Sequence, residues 1–192
     1  GAYSGQPRGV NLGKGQDVEA ELTLTLEEAA EGGEKRITLQ SDRPGASPRT
    51  LNVKIPKGIK SGSRIRLPDQ GLPGQSGQNG DLFLKVRFIP HKYFRPEEFD
   101  LHLTVPVTPW EAALGGKITV PTLSGKAKLT VKPGAKGGQK MRMKSQGLPK
   151  KDGSRGDIVA ELQIFVPAKL SDREKQLFQE LAEESKFNPR KW

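Results

Sequence analysis

Cysteine is absent from the 192 residues. That excludes disulfides, thiolate zinc sites and cysteine nucleophiles, and it fits a reducing compartment. Histidine occurs only twice, as His91 and His102, with no clustered acids beside either one. His102 falls on the polar face of a predicted strand and His91 follows a proline, so surface and turn roles are expected rather than catalysis or metal binding. No G-x-S-x-G elbow accompanies the serines. The stretches GIKSGSR (58–64) and GAKGGQK (134–140) do not match a phosphate-binding loop and are read as hairpin turns between strands. No catalytic residue, metal or cofactor is assigned, and the chain is expected not to be an enzyme. Aromatic residues make up 6%, too few among the basic residues for single-strand stacking. No run of about 18 apolar residues exists, so no membrane span is expected.

What the chain does have is glycine, proline and positive charge. The 23 glycines and 15 prolines favour short strands and many turns over a helical bundle. The net charge of +10 attracts anions such as nucleic acid, acidic lipid or acidic peptide tails. The charge is not spread evenly. Lys117 to Lys151 holds ten Lys/Arg and no acid, and Arg43 to Pro68 holds seven and no acid.

The chain also repeats itself. LTLTLEEAAEGGEKRITL (22–39) runs parallel to VPVTPWEAALGGKITV (105–120), at an offset of 83. VKIPKGIKSGSRIRLPDQGLP (53–73) runs parallel to LTVKPGAKGGQKMRMKSQGLP (129–149), at an offset of 76, and GDLFLKV (80–86) answers GDIVAEL (156–162). The first unit therefore carries about seven extra residues, most simply in SDRPGASPR (41–49). Self-similarity of this length means two similar domains in tandem.

Within each unit the pattern is that of strands. Ala20, Leu22, Leu24 and Leu26 alternate with polar residues, as do Leu101, Leu103, Val105 and Val107. LFLKVRFI (82–89) is apolar on both faces and is expected to be a central strand or one covered on both sides. EEAAEGG and WEAALGG read as one helical turn ended by glycines. The fold class expected is mostly β: two tandem β-sandwich or open-barrel domains, each with a short helix, and a C-terminal helix. Residues 1–16 read as a flexible Gly-rich linker, 17–95 as domain I, 96–167 as domain II, and 168–192 as a dimerisation helix and tail. Ser171 with Glu174 forms a capping box. Leu177, Phe178 and Leu181 share one helical face, and Phe187 and Trp192 follow. A tail with that much apolar surface is expected to pair with a second copy, giving a homodimer.

The repeat, the GDL strand, IPHKYF (89–94) and VPVTPWEAALGGKITVPTL (105–123) together resemble the C-terminal half of DnaJ-type co-chaperones, over residues 17–192. FNPRKW (187–192), PWEAALGG and LNVKIPKGI look most like the curved-DNA-binding branch. The resemblance implies binding of unfolded client polypeptides in a shallow groove of the first domain. It places that groove at Leu22, Ile37, Leu39 and Leu84, with Ala20 at the rim. It also implies that Lys35, with Arg36, meets the acidic tail of a DnaK-type 70-kDa heat-shock partner. These residues include neither a His-Pro-Asp tripeptide nor the cysteines of a zinc-finger insertion, so client binding is expected without stimulation of ATP hydrolysis. The alternative is binding of curved or AT-rich duplex DNA through backbone and shape, with Lys126, Lys128 and Lys132 as candidate phosphate contacts. A cytoplasmic location is expected, nucleoid-associated under the second reading.

Overall fold

The computed structural model describes residues 13–39, 48–190 and 192. The first twelve residues of the predicted linker and nearly all of the predicted insertion lie outside the described residues. Residues 13–17, read as linker up to 16, are hydrogen-bonded into the first unit: the Gly15 N–H donates to Gln78 O at 2.9 Å and the Leu72 N–H to Gln16 O at 2.9 Å.

The first unit holds β1 (Val18–Leu24), α1 (Leu26–Glu31), β2 (Gly33–Leu39), β3 (Arg49–Ile55), β4 (Arg64–Leu67) and β5 (Leu82–Phe88). After β6 (Phe94–Glu97), the second unit repeats the series as β7 (Asp100–Val107), α2 (Pro109–Leu114), β8 (Gly116–Thr122), β9 (Gly125–Val131), β10 (Lys140–Met143) and β11 (Ile158–Ile164). The helix α3 (Asp172–Glu184) follows.

The pairing repeats as faithfully as the sequence. β1 runs parallel to β5 with Val18 opposite Leu82, and β7 runs parallel to β11 with Leu101 opposite Ile158. The short strands β4 and β10 run antiparallel on the outer sides of β5 and β11. The pairs β2–β3 and β8–β9 form separate two-stranded sheets. Each unit is thus an open sandwich of a larger sheet and a hairpin. The strand predicted as central, β5, is the middle strand of its sheet.

The turns at Gly58–Gly62 and Gly134–Gly138 are not hairpin turns. They join strands of different sheets, because β3 pairs with β2 and β4 with β5. Alternation shows which face of a strand is buried but not which strand lies beside it.

Both short helices open with capping boxes. Thr25 accepts the Glu28 N–H at 3.1 Å while the Glu28 carboxylate accepts the Thr25 N–H at 2.9 Å, and Thr108 with Glu111 repeats the motif. Gly32, with φ of 64°, ends α1 in a conformation that costs other residues strain. A carboxylate fixes one further turn in each unit. Asp81 accepts the N–H of Asp69, whose φ is 58°, and is held by Arg66 and Lys14. Asp157 does the same for Ser145, also at φ 58°, with Arg142. The Asp69 N–H, then the Lys14 and Arg66 side chains, outweigh desolvation and hold Asp81 below the usual carboxylate range.

Two apolar clusters form the interior. One gathers Leu22, Leu24, Val53, Ile55, Leu82, Leu84 and Val86 of the first unit. The other gathers Leu101, Leu103, Val105, Val107, Val120, Val131, Ile158 and Leu162 of the second, together with Leu26 of α1 and Phe94 of β6. Ala30 and Phe88 of the first unit also pack on the second cluster. The units are further joined by the Lys60–Glu98 ion pair at 2.5 Å and by His91 Nε2 with Glu27 Oε1 at 3.1 Å. The His91 Nδ1 accepts the N–H groups of Tyr93 and Phe94, both at 3.0 Å, which gives this histidine the turn role expected of it.

Candidate peptide-binding groove

At one end of the first unit the apolar side chains are only partly covered. Val18 and Ala20 of β1, Ile37 and Leu39 of β2, Leu51 of β3, and Ile65 and Leu67 of β4 are half-buried and pack on its core. Strand register explains the arrangement. Leu84 of the central strand lies between Ala20 and Ile65, and Leu82 between Val18 and Leu67. The central side chains are covered by their neighbours, while those on the flanking strands reach the surface. Ile37 sits opposite Leu51 on the facing hairpin.

The resulting opening includes Ala20, Ile37 and Leu39 of the predicted groove. Leu22 and Leu84 are 4% and 0% exposed. They belong to the core beneath it and are withdrawn from the candidate surface, since alternation puts core and groove residues on one face and cannot separate them. Val18, Leu51, Ile65 and Leu67 join the opening instead. Only their position near strand ends, where a covering neighbour runs out, could have marked them.

Beside this opening lies a strand edge. In a β-strand the N–H and C=O of one residue point to the same side. The Val18 N–H donates to Asp81 O and Leu24 O accepts the Ile89 N–H, both toward β5. Glu19, Glu21 and Thr23 therefore face the other way, where among the described residues the sheet has no further strand. Thr23 O is met there by Lys35 Nζ of β2 at 3.2 Å. That ammonium also donates to both Glu28 carboxylate oxygens, at 2.7 and 2.9 Å. Burial pushes the Glu28 carboxyl up, but the Lys35 hydrogen bond, the Thr25 N–H and the Lys35 charge together hold it below the ordinary value. Lys35, expected to meet an acidic partner tail, is thus already paired, while Arg36 beside it is exposed.

The candidate phosphate contacts lie on the second unit. Lys126 and Lys128 point outward from β9 and Lys132 follows its end, all exposed. Lys128 donates to Thr119 Oγ1 at 2.6 Å. Lys126 also borders a depression of about 910 Å³ between β7 and β8, with Tyr93, Ile118 and Thr122. On α3 the Ser171–Glu174 capping box is present, and no residue of the helix is buried. Leu177 is 46% exposed, Leu181 61%, Phe187 81% and Trp192 98%, with Phe178 half-buried.

The model of the DnaJ C-terminal domain matches residues 18–167. The chain belongs to the DnaJ C-terminal domain family. The two sandwiches described above are therefore those of a DnaJ C-terminal region. The chain is 46% identical over 185 residues to a curved DNA-binding protein of Pseudomonas putida (strain W619), covering 92% of this chain and 58% of that protein. It is 44% identical over 186 residues to the curved DNA-binding protein of Coxiella burnetii (strain RSA 493 / Nine Mile phase I), covering 93% and 59%. The chain thus spans under two-thirds of the length of these relatives. Among the described residues no helix is long and apolar enough to cross a membrane, and no group of three or more His, Cys, Asp or Glu could hold a metal ion.

Proposed function

We propose that this DnaJ-type region binds extended, unfolded polypeptide at the open end of the first unit and presents it to a DnaK-type chaperone. The observation that carries this reading is the coincidence of the two features there: half-buried apolar side chains on four strands, beside a seven-residue strand, β1, that among the described residues has a neighbour on one side only. Backbone groups on such an edge pair with any extended chain, and the apolar opening receives every second side chain. Pairing by backbone is blind to sequence, which suits a protein with many clients. Arg36 is the exposed cation available to an acidic partner tail. The exposed stripe of α3 and its aromatic tail pair two chains, so that two weak sites on one tether gain through effective concentration.

A second reading has its own support. The acid-free run from Lys117 to Lys151 places Lys126, Lys128 and Lys132 on an exposed hairpin, and the named relatives are curved DNA-binding proteins. Among the described residues there is no recognition helix of the usual kind, so duplex would be held through phosphates and shape.

Salt separates the two. Binding of a permanently unfolded protein and of an AT-rich duplex is measured by fluorescence anisotropy at ~50 and ~200 mM salt. Client binding is expected to change little, whereas a duplex held by several phosphate contacts weakens by orders of magnitude. Glu at Lys126, Lys128 and Lys132 together should lower the duplex affinity alone. Absence of any binding to the unfolded protein would refute the first reading.

A further inference from the structure

The two units meet along a seam that carries its own surface. The Gly58 backbone, at φ of 70°, approaches Pro149 so closely that an added methyl would overlap the Pro149 carbonyl. The Lys60–Glu98 ion pair ties the first unit to the segment that leads into β7. Along this seam runs a groove of about 770 Å³ with walls from both units. Lys57, Lys60 and Arg64 stand on the first and Lys150 and Lys151 on the second. Phe99, half-buried between β6 and β7, and Ile65 of β4 give it apolar surface.

Charge in the groove is one-sided. Five lining residues are cationic and one, Asp152, is acidic. Asp152 is occupied in its own turn, where it accepts the N–H and the hydroxyl of Ser154 at 2.9 and 2.6 Å. Lys60 pairs with Glu98 and Arg64 with Glu19 at 2.7 Å. Lys57, Lys150 and Lys151 have no ion-pair partner among the described residues. The ammonium groups of Lys60 and Lys150, one from each unit, sit over the same Phe99 ring, 5.2 and 5.9 Å from its centre. The ring attracts each of them, but two like charges gathered on one ring leave a field that an anion relieves. The repeat shows that the fold does not demand this charge. At the offset of 76, Lys150 and Lys151 correspond to Gly74 and Gln75, and Lys57 to Pro133; at the offset of 83, Phe99 corresponds to Gln16.

We infer that the groove between the units binds an acidic peptide segment, with one apolar side chain on Phe99 and Ile65 and flanking carboxylates on Lys57, Lys150 and Lys151. Charge complementarity selects the acid. The apolar surface selects a peptide over duplex DNA, which brings phosphates but no side chain to cover Phe99. Lysine suits both tasks, because its aliphatic stem extends the apolar wall while the ammonium reaches the carboxylate. The Gly58–Pro149 contact sets the walls before anything binds, which lowers the cost of ordering them. The site stands apart from Arg36, which lies on β2, and from β1, at the opposite edge of its sheet from β4. Of the residues at the opening of the first unit, only Ile65 also lines this groove.

The test uses labelled short peptides with a central Leu flanked on both sides by Glu. Counterparts carry Gln for each Glu, or Ser for the Leu. All are titrated into the intact protein by anisotropy at low salt, where exposed charges are least screened. The acidic Leu peptide is expected to bind at least about tenfold more tightly than either counterpart. Lys150→Gln with Lys151→Gln should weaken it about tenfold, whereas Arg36→Glu should leave it within about twofold. Benzoylphenylalanine in place of the Leu should cross-link within Pro56–Lys60 or Pro149–Asp152. Equal binding of the Glu and Gln peptides would overturn the inference, as would cross-links confined to β1 and β2 or a loss on Arg36→Glu with none on the lysine pair. If the Ser peptide binds as well as the Leu peptide and an AT-rich duplex displaces both, the groove is a phosphate surface and the peptide assignment falls. Should the lysine variant not fold, the peptide series and the cross-link still decide the question, since neither alters the protein.

Discussion

Gly58 and Gly134 occupy the same place in the two units, with φ of 70° and 76°. Replacing either with Ala puts a side chain in a left-handed conformation, at a cost of about 1–2 kcal/mol, offset by roughly 0.4–1 kcal/mol from a less flexible unfolded chain. Around Gly134 nothing lies within 4 Å of the added methyl, so Gly134→Ala should cost about 1 kcal/mol in all. At Gly58 the same methyl overlaps the backbone carbonyl of Pro149 in the other unit, which cannot swing aside as a side chain would. Overpacking of this kind adds about 1–3 kcal/mol. Each kcal/mol moves the transition of a chain this size by roughly 2–4 °C. Gly134→Ala should therefore lower Tm by a few degrees, and Gly58→Ala by about twice that or more, in parallel calorimetric scans. Because backbone strain is common to both, the difference isolates the contact between the units. Equal shifts would refute the reasoning: the Gly58–Pro149 approach would then carry no stability.

Three further outcomes follow from the geometry. Leu22→Ala should cost about 2–5 kcal/mol as a core truncation, whereas Ile37→Ser should weaken client binding with less than half that loss of stability; urea melts of the two variants side by side test this, and similar costs would make Ile37 core as well. Glu28 has a depressed pKa, so its pairing with Lys35 stabilises the fold above the ordinary carboxylate range and is lost as pH falls through the lower folded value. Glu28→Gln, which keeps the cap, should melt below the parent at pH 7, and the gap should shrink as pH falls below the ordinary carboxylate range; a gap that stays constant across the whole acid titration would contradict the assignment. Light scattering at tens of micromolar should find a dimer for the intact chain and a monomer for one ending at Lys169, and a monomeric intact chain would overturn the pairing proposed for α3.

The duplication was legible because glycine and proline punctuate it. Gly58, Gly62, Gly71 and Pro73 mark turns whose spacing survives in the second copy, and the apolar alternation between them shows the buried faces. Partners of strands were not legible in the same way. Nothing in IPKGIKSGSRIRL says that its two strands enter different sheets, because a turn of that length serves a hairpin or a crossing equally well. The groove was half legible: Ile37 and Leu84 look alike in sequence, and only their neighbours on adjacent strands separate an opening from a core. β6 was not legible at all. FRPE has four residues, one apolar and one proline, which is possible only at an edge where no N–H is needed.

The contact of Leu26, Ala30 and Phe88 with the second core has a mechanical consequence. Tandem domains on a loose tether absorb a pull by reorienting, and little tension reaches the far end. Here the two units share side chains across their junction, so a tug on β1 travels through packed atoms to β11. Beyond β11 the chain runs through the exposed residues Phe165, Val166 and Leu170 to a helix with nothing buried. The compliant element of the molecule is therefore this last connection. A pull on either unit thus loads the stretch before α3 first.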